Sequence, residues 1–192
     1  MKKTLLFFIF LLGSMEIGFS QTLGQLTAQE VKSGTTLRMD SLLAEKGLVL
    51  IFHDPKCPFA MLYQDRISSL VEKFSPQGIA FALVNPEAGT SEEELKELKE
   101  FLDTHQVQIP YLIDSNDTWI GQFKVSKIPE AVVLIPGKAG LEVAYKGAID
   151  NNPQAASAVS ERYLERALTQ VAKGMTPEVP QVRAVGCTIR SY

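Results

Sequence analysis

Leu48-Val-Leu-Ile-Phe-His-Asp-Pro-Lys-Cys-Pro58 joins two segments with different periods. Leu48 to Phe52 is an unbroken apolar run, the pattern of a strand buried on both faces of a sheet. His53-Asp-Pro-Lys56 stops it. After Cys57, residues Tyr63, Ile67, Leu70, Val71 and Phe74 fall at i, i+4, i+7, i+8 and i+11, one stripe of a helix. Pro58 suits the first turn of that helix, where a backbone N–H has no partner in any case. Cys57 therefore marks a strand-to-helix switch. Unpaired N–H groups at a helix start favour thiolate, and Lys56 adds a positive charge next door. The expectation is a sulfur partly open to solvent, with a pKa below that of free cysteine. The competing reading makes Cys57 a small buried hydrophobe.

Outward from this switch, Ser75-Pro-Gln-Gly78 ends the helix and Ile79 to Val84 reads as a second buried strand. Thr90-Ser91 with Glu92-Glu93-Glu94 opens another helix through a capping-box pattern, with Leu95, Leu98 and Leu102 facing inward and His105 capping its end. Ile109 to Ile113 is a short strand, and Thr118 to Phe123 one or two helical turns. Ala131 to Ile135 and Leu141 to Tyr145 form a hairpin about Pro136-Gly-Lys-Ala-Gly140. Ala155 to Lys173 reads as a helix closed by Gly174. Residues 21–40 read as an arm with one short strand, and a tail from about 175 carries the second cysteine, Cys187. Strand-helix-strand-helix-strand, then a hairpin, then a helix predicts parallel strands with right-handed crossovers and antiparallel edges. The expected fold is α/β, a mixed central sheet with helices on both faces, on the thioredoxin plan.

The 192 residues suit one domain, and 45% hydrophobic against 21% charged residues is an ordinary globular balance. The net charge is −3 and no basic block tracks a phosphate backbone, which argues against nucleic-acid binding. Two cysteines are too few for a disulfide-stapled mini-protein or a Cys-rich zinc site. Met1-Lys2-Lys3, the apolar run Thr4 to Leu12, the break at Gly13-Ser14 and the small residues Gly18 and Ser20 have the layout of a secretory signal peptide over residues 1–20. The apolar run is too short to span a bilayer. Cleavage before Gln21 leaves one domain over 21–192, with 17 basic and 21 acidic residues and a net charge of −4. The expected location is periplasmic or secreted, where a disulfide persists.

Asp54-Pro-Lys-Cys-Pro58 with Tyr63 and Arg66, Ile128-Pro129-Glu130 ahead of a strand, Tyr145-Lys-Gly-Ala-Ile-Asp150 and Gly186-Cys-Thr-Ile189 together resemble bacterial redoxin-domain proteins of the peroxiredoxin-like (AhpC/TSA-like) branch of the thioredoxin superfamily. The resemblance spans about residues 34–189. It implies a thioredoxin fold, an active-site role for Cys57 and a cis peptide before Pro129, which shapes the substrate groove and keeps metal from the thiolate. His53, Asp54, Lys56, Pro58 and Glu130 form the supporting set around it. Two departures stand out. Ala60 occupies the place of the second thiol of a Cys-x-x-Cys pair. Leu50 and Asp54 occupy the Pro and Thr/Ser places of the peroxidatic Pro-x-x-x-Thr/Ser-x-x-Cys pattern.

Three classes of function stay open on these residues. In the first, Cys57 attacks a protein disulfide or a peroxide and Cys187 resolves the product, with electrons from an exported or membrane-linked thiol reductant. In the second, His53, Cys57 and Cys187, with Met61 or His105, bind Cu(I). In the third, the chain is a non-catalytic binding module whose Cys57–Cys187 bond is structural, with Tyr111, Trp119 and Phe123 as an apolar cradle for a partner. An intermolecular bridge between the cysteines is a further option. No organic cofactor is implied, because no Gly-rich phosphate loop follows a strand.

Overall fold

A computed structural model describes residues 23–189; the expected signal peptide at 1–20 lies outside the described residues. The segment expected to hold one strand forms a hairpin instead. Its strands β1 (Thr27–Glu30) and β2 (Thr36–Arg38) pair antiparallel. The Glu30 carboxylate closes the turn by accepting from the Lys32 and Ser33 N–H groups and the Ser33 hydroxyl. Strand β3 (Gly47–Phe52) is buried along its whole length, as its unbroken apolar run requires. Helices α1 (Pro58–Leu62) and α2 (Gln64–Phe74) follow, then β4 (Ile79–Asn85), α3 (Glu92–Thr104), β5 (Tyr111–Ile113) and α4 (Thr118–Phe123). A two-residue strand β6 (Lys127–Ile128) leads into β7 (Glu130–Gly137) and β8 (Gly140–Gly147). The chain ends in α5 (Tyr163–Ala172), β9 (Gln181–Val182) and β10 (Cys187–Thr188).

The main sheet runs β2-β1-β5-β4-β3-β7-β8-β9. Strands β3, β4 and β5 are parallel, joined by helical crossovers, while β7 lies antiparallel to both β3 and β8. Alternation along β3 feeds two cores. Val49 and Ile51 pack with α2, α3 and α5 through Ile67, Phe74, Leu102 and Leu168. Leu48, Leu50 and Phe52 pack on the other face with Trp119, Ile120 and Phe123 of α4. Each large side chain buried this way contributes about 1.5–3 kcal/mol.

Two helices differ from their sequence patterns. The helix after Cys57 breaks at Tyr63, whose N–H bonds to Ala60 and tightens the turn while its ring stays buried. The helix expected from Ala155 starts only at Tyr163. Asn151 accepts from the Ser160 and Glu161 N–H groups, and Asn152 from those of Gln154 and Ala155. Asn151 thereby takes two N–H groups that a helix running from Ala155 would have turned to its own carbonyls. Among the described residues, no helix is long and apolar enough to cross a membrane.

Candidate active site: a disulfide under the C-terminal tail

At the end of β3 the chain turns through Asp54, whose carbonyl accepts from the Cys57 N–H and whose carboxylate accepts from the Lys56 N–H, at 3.0 Å each. This turn delivers Cys57 as the N-cap of α1, with Pro58 at the first position. The helix is five residues long and the cysteine makes no side-chain bond to its N–H groups, so the field expected of a long helix is reduced here to its first turn. Lys56, next to Cys57, is exposed, and its charge also lowers the pKa of Glu94 at the start of α3.

The Ile128–Pro129 bond is cis, as the resemblance implies. It places the Ile128 carbonyl oxygen 3.3 Å from the Cys57 sulfur, close enough to accept from the thiol once the cysteine is reduced. Glu130 is buried and holds this loop. Its carboxylate accepts from the Ser126 N–H at 3.2 Å and the Lys127 N–H at 3.4 Å, and it pairs with Lys146 Nζ at 3.2 Å.

Cys57 is bonded to Cys187, with Cα atoms 6.1 Å apart across 130 residues. The expected exposure of the Cys57 sulfur is not met. The residue is 3% exposed within an apolar cluster, and the tail reaches it as β10, which pairs antiparallel with β6, Cys187 opposite Ile128 and Thr188 opposite Lys127. Lys127 Nζ donates to Thr188 Oγ1 at 2.7 Å, and the Ile189 N–H to the Ser126 carbonyl at 3.3 Å. Ile189 is buried in the same apolar cluster as Cys57, Trp119 and Ile128. Cys187 is half-buried and is the more exposed residue of the pair. A cavity of about 190 Å³ flanks Pro129 between Tyr63, Ile149 and the tail residues Val182 and Val185.

The structure thus unites Cys57, Pro58, Pro129, Glu130 and Cys187, with Asp54 shaping the turn. It does not bring in His53. The imidazole lies on the opposite face of the sheet, 3.3 Å from the Tyr111 hydroxyl and beside Phe101, so it is no base for Cys57. The alternative copper set of His53, Cys57 and Cys187 is divided in the same way, with both sulfurs tied to each other. Among the described residues, no group of three His, Cys, Asp or Glu side chains is placed to hold a metal ion. Tyr111, Trp119 and Phe123 are core residues and form no cradle for a partner.

Two features escaped the sequence. Asp150 accepts from the Tyr63 hydroxyl and from Arg66, at 2.7 Å each, while the Arg66 guanidinium lies 3.6 Å from the Tyr63 ring centre. This buried knot fastens the chain after β8 to α2 across 84 residues, a separation at which sequence carries no local signal. The other is Gly186. A Cβ there would run into the Ile128 carbonyl, so the tail reaches the β6 edge only because this residue has no side chain. The Gly-Cys dipeptide was its one visible trace.

A thioredoxin fold with a cysteine after the central strand, a cis-proline loop beside it and a second sulfur brought in from the tail defines a redoxin. The chain belongs to the AhpC/TSA family, whose model matches residues 21–147. The tail with Cys187 lies beyond that span. No curated protein matches the chain in sequence. Among solved structures it resembles an uncharacterized conserved protein from Geobacillus kaustophilus, with a TM-score of 0.77 and 19% identity over 90% of this chain and 91% of that one. It also resembles a hypothetical protein from Sinorhizobium meliloti, with a TM-score of 0.74 and 19% identity over 88% and 91%. A secreted Mycobacterium tuberculosis disulfide oxidoreductase is similar at a TM-score of 0.54 and 20% identity, over 79% of this chain and 96% of that one. At these identities the likeness is one of fold.

Proposed function

We propose that this chain is an exported thiol–disulfide oxidoreductase acting on protein disulfides, with Cys57 as nucleophile and Cys187 as resolving thiol. The observation that carries the reading is the bond between them. One cysteine stands at the start of a helix after the central strand, and the other arrives on a two-residue strand. Export is supported by the pattern of residues 1–20 and by the secreted Mycobacterium oxidoreductase of the same fold.

Starting from the disulfide, a thiolate of the external dithiol donor attacks the sulfur of Cys187, the more exposed residue of the pair. Cys57 leaves as thiolate at the start of α1. The donor's second thiol then displaces Cys187, and the donor departs oxidised. Reduced Cys57 attacks a substrate disulfide and expels one substrate thiolate, which takes a proton from solvent. Cys187 next attacks the Cys57 sulfur, re-forms Cys57–Cys187 and expels the second. The substrate gains two electrons and the protein loses two. No metal or organic group takes part, because the electron pairs move between sulfurs. Peroxide is the poorer substrate: at the place of the peroxidatic hydroxyl, Asp54 has its carboxylate committed to the Lys56 N–H.

With a dithiol donor, wild type is expected to reduce insulin, Cys57→Ser to be inactive, and Cys187→Ser to accumulate a mixed disulfide on Cys57. Peroxide consumption should not exceed that of a free cysteine. The burial of Cys57 favours a second reading, a permanent clip. Its signature is no turnover in wild type together with a reduction potential below about −300 mV, and that result overturns the proposal.

A further inference from the structure

We propose that residues 186–189 are a built-in stand-in for an extended peptide. On this reading the β6 edge beside Cys57 accepts segments of the pattern Gly–Cys–x–apolar once reduction releases the tail. The inference rests on the thiol-exchange reading above and names its partner and its gate.

A two-residue edge strand exposes backbone N–H and C=O groups that an added strand can pair. In this structure β10 supplies that strand, and among the described residues β6 has no other partner in its two-stranded sheet. The register fixes the chemistry. The residue opposite Ile128 is a cysteine, and its sulfur meets Cys57. The residue before it must lack a side chain, since the Ile128 carbonyl fills the space of a Cβ at Gly186. Two positions after it, Ile189 is buried against the Trp119 and Ile128 cluster, so that subsite is apolar. Between them, Lys127 reaches out to a hydroxyl, and Thr188 is exposed, so this position is permissive. A foreign peptide of the same pattern offers the same register, the sulfur and the apolar anchor.

The tail is held for release. Beyond the disulfide, the tail is held by β9 and β10, by the Glu178 N–H on Gln170 Oε1, by the Lys127–Thr188 bond and by buried Ala184 and Ile189, while Met175, Val179 and Val185 are 52%, 44% and 57% exposed. While Cys57–Cys187 is intact the edge is occupied. When the bond is reduced, the tail competes only through those few contacts.

The test uses the full chain with Cys187→Ser and the peptide Arg-Ala-Val-Gly-Cys-Thr-Ile, its cysteine activated as a mixed disulfide with thionitrobenzoate. Cys57 thiolate attacks the peptide sulfur, the Cys57–peptide disulfide forms, and coloured thionitrobenzoate leaves as the anion. Two further peptides carry valine in place of the glycine or aspartate in place of the isoleucine. Each is expected to react at least about tenfold more slowly, and Ile189→Asp in the Cys187→Ser chain to speed the parent peptide by loosening its competitor. Wild type, reduced and desalted, repeats the ranking, so a folding defect of one variant does not decide the outcome. Equal rates for all three peptides at a reactive Cys57 overturn strand docking and leave thiol exchange standing. No reaction of native Cys57 with any peptide, when the urea-unfolded chain reacts, removes the thiol-exchange reading itself.

Discussion

The imidazole of His53 has no exposed surface. Burial pushes its pKa down from 6.5 to about 4. The charge of His105 acts in the same direction, and the Gln64 side chain against it. The ring is therefore neutral near pH 7. Between the two values the unfolded chain binds the extra proton, so this residue's contribution to stability is complete above pH 6.5 and is lost as the pH falls toward 4. The size of the effect is on the order of 3 kcal/mol. His53→Phe keeps a ring among Phe101 and Tyr111 and removes the titration. We expect urea unfolding of wild type to weaken between pH 7 and 4.5 by clearly more than that of the variant. Parallel pH profiles would show that the buried ring is not what senses acid. The residue serves the core rather than the sulfur, and its side of the sheet follows from counting by twos along β3, where Val49, Ile51 and His53 share a face.

Strands β6 and β10 hold two residues each, and β9 another two. Ladders this short hold little on their own, so the disulfide is what keeps the tail across the site. Reduction is expected to speed amide hydrogen exchange over residues 181–189 by at least about tenfold and to leave β3 and β4 unchanged. Unchanged protection of the tail in the reduced protein would mean that its contacts suffice without the bond. The same shortness explains what the sequence could convey. The strands with unbroken apolar runs, β3, β4 and β7, and the stripes of α2 and α3 are written in local periodicity, and so is the mixed sheet they build. A two-residue strand has no period, so β6, β9 and β10 are invisible, and β1 with β2 blurred into an arm. In the site, Cys57 and Pro129 stand at boundaries between readable elements. Cys57 is bonded to a tail residue 130 positions away, a contact with no local trace in the sequence. Helix α5 starts later than its periodicity predicts because Asn151 takes the Ser160 and Glu161 N–H groups, a contest that helical periodicity does not record.

At the scale of the molecule, the disulfide can act on the unfolded chain or on the tail, and the two leave different thermodynamic traces. Closing a loop across 130 residues restricts the unfolded chain by about 5 kcal/mol in the chain-entropy model. If the reduced native protein keeps its tail docked, nothing opposes this, and oxidation stabilises the fold by about that full amount. If the reduced tail is free from Gly174 onward, oxidation must also order a segment of some dozen residues in the native state, which costs about 3 kcal/mol by the same relation. The net gain is then on the order of 2 kcal/mol. By linkage, whatever the bond adds to the fold, the fold adds to the bond's resistance to reduction. At about 30 mV per 1.4 kcal/mol for a two-electron couple, the smaller figure lowers the potential by roughly 40 mV and the larger by more than 100 mV. A releasable tail therefore leaves the pair reducible by a dithiol donor, whereas a permanent clip removes it from the exchange range. Urea unfolding of the oxidised and the reduced chain, compared at one pH, reads this difference directly. We expect about 2 kcal/mol. A value near 5 kcal/mol, with a correspondingly low potential, would assign the bond to holding the chain together instead of to turnover.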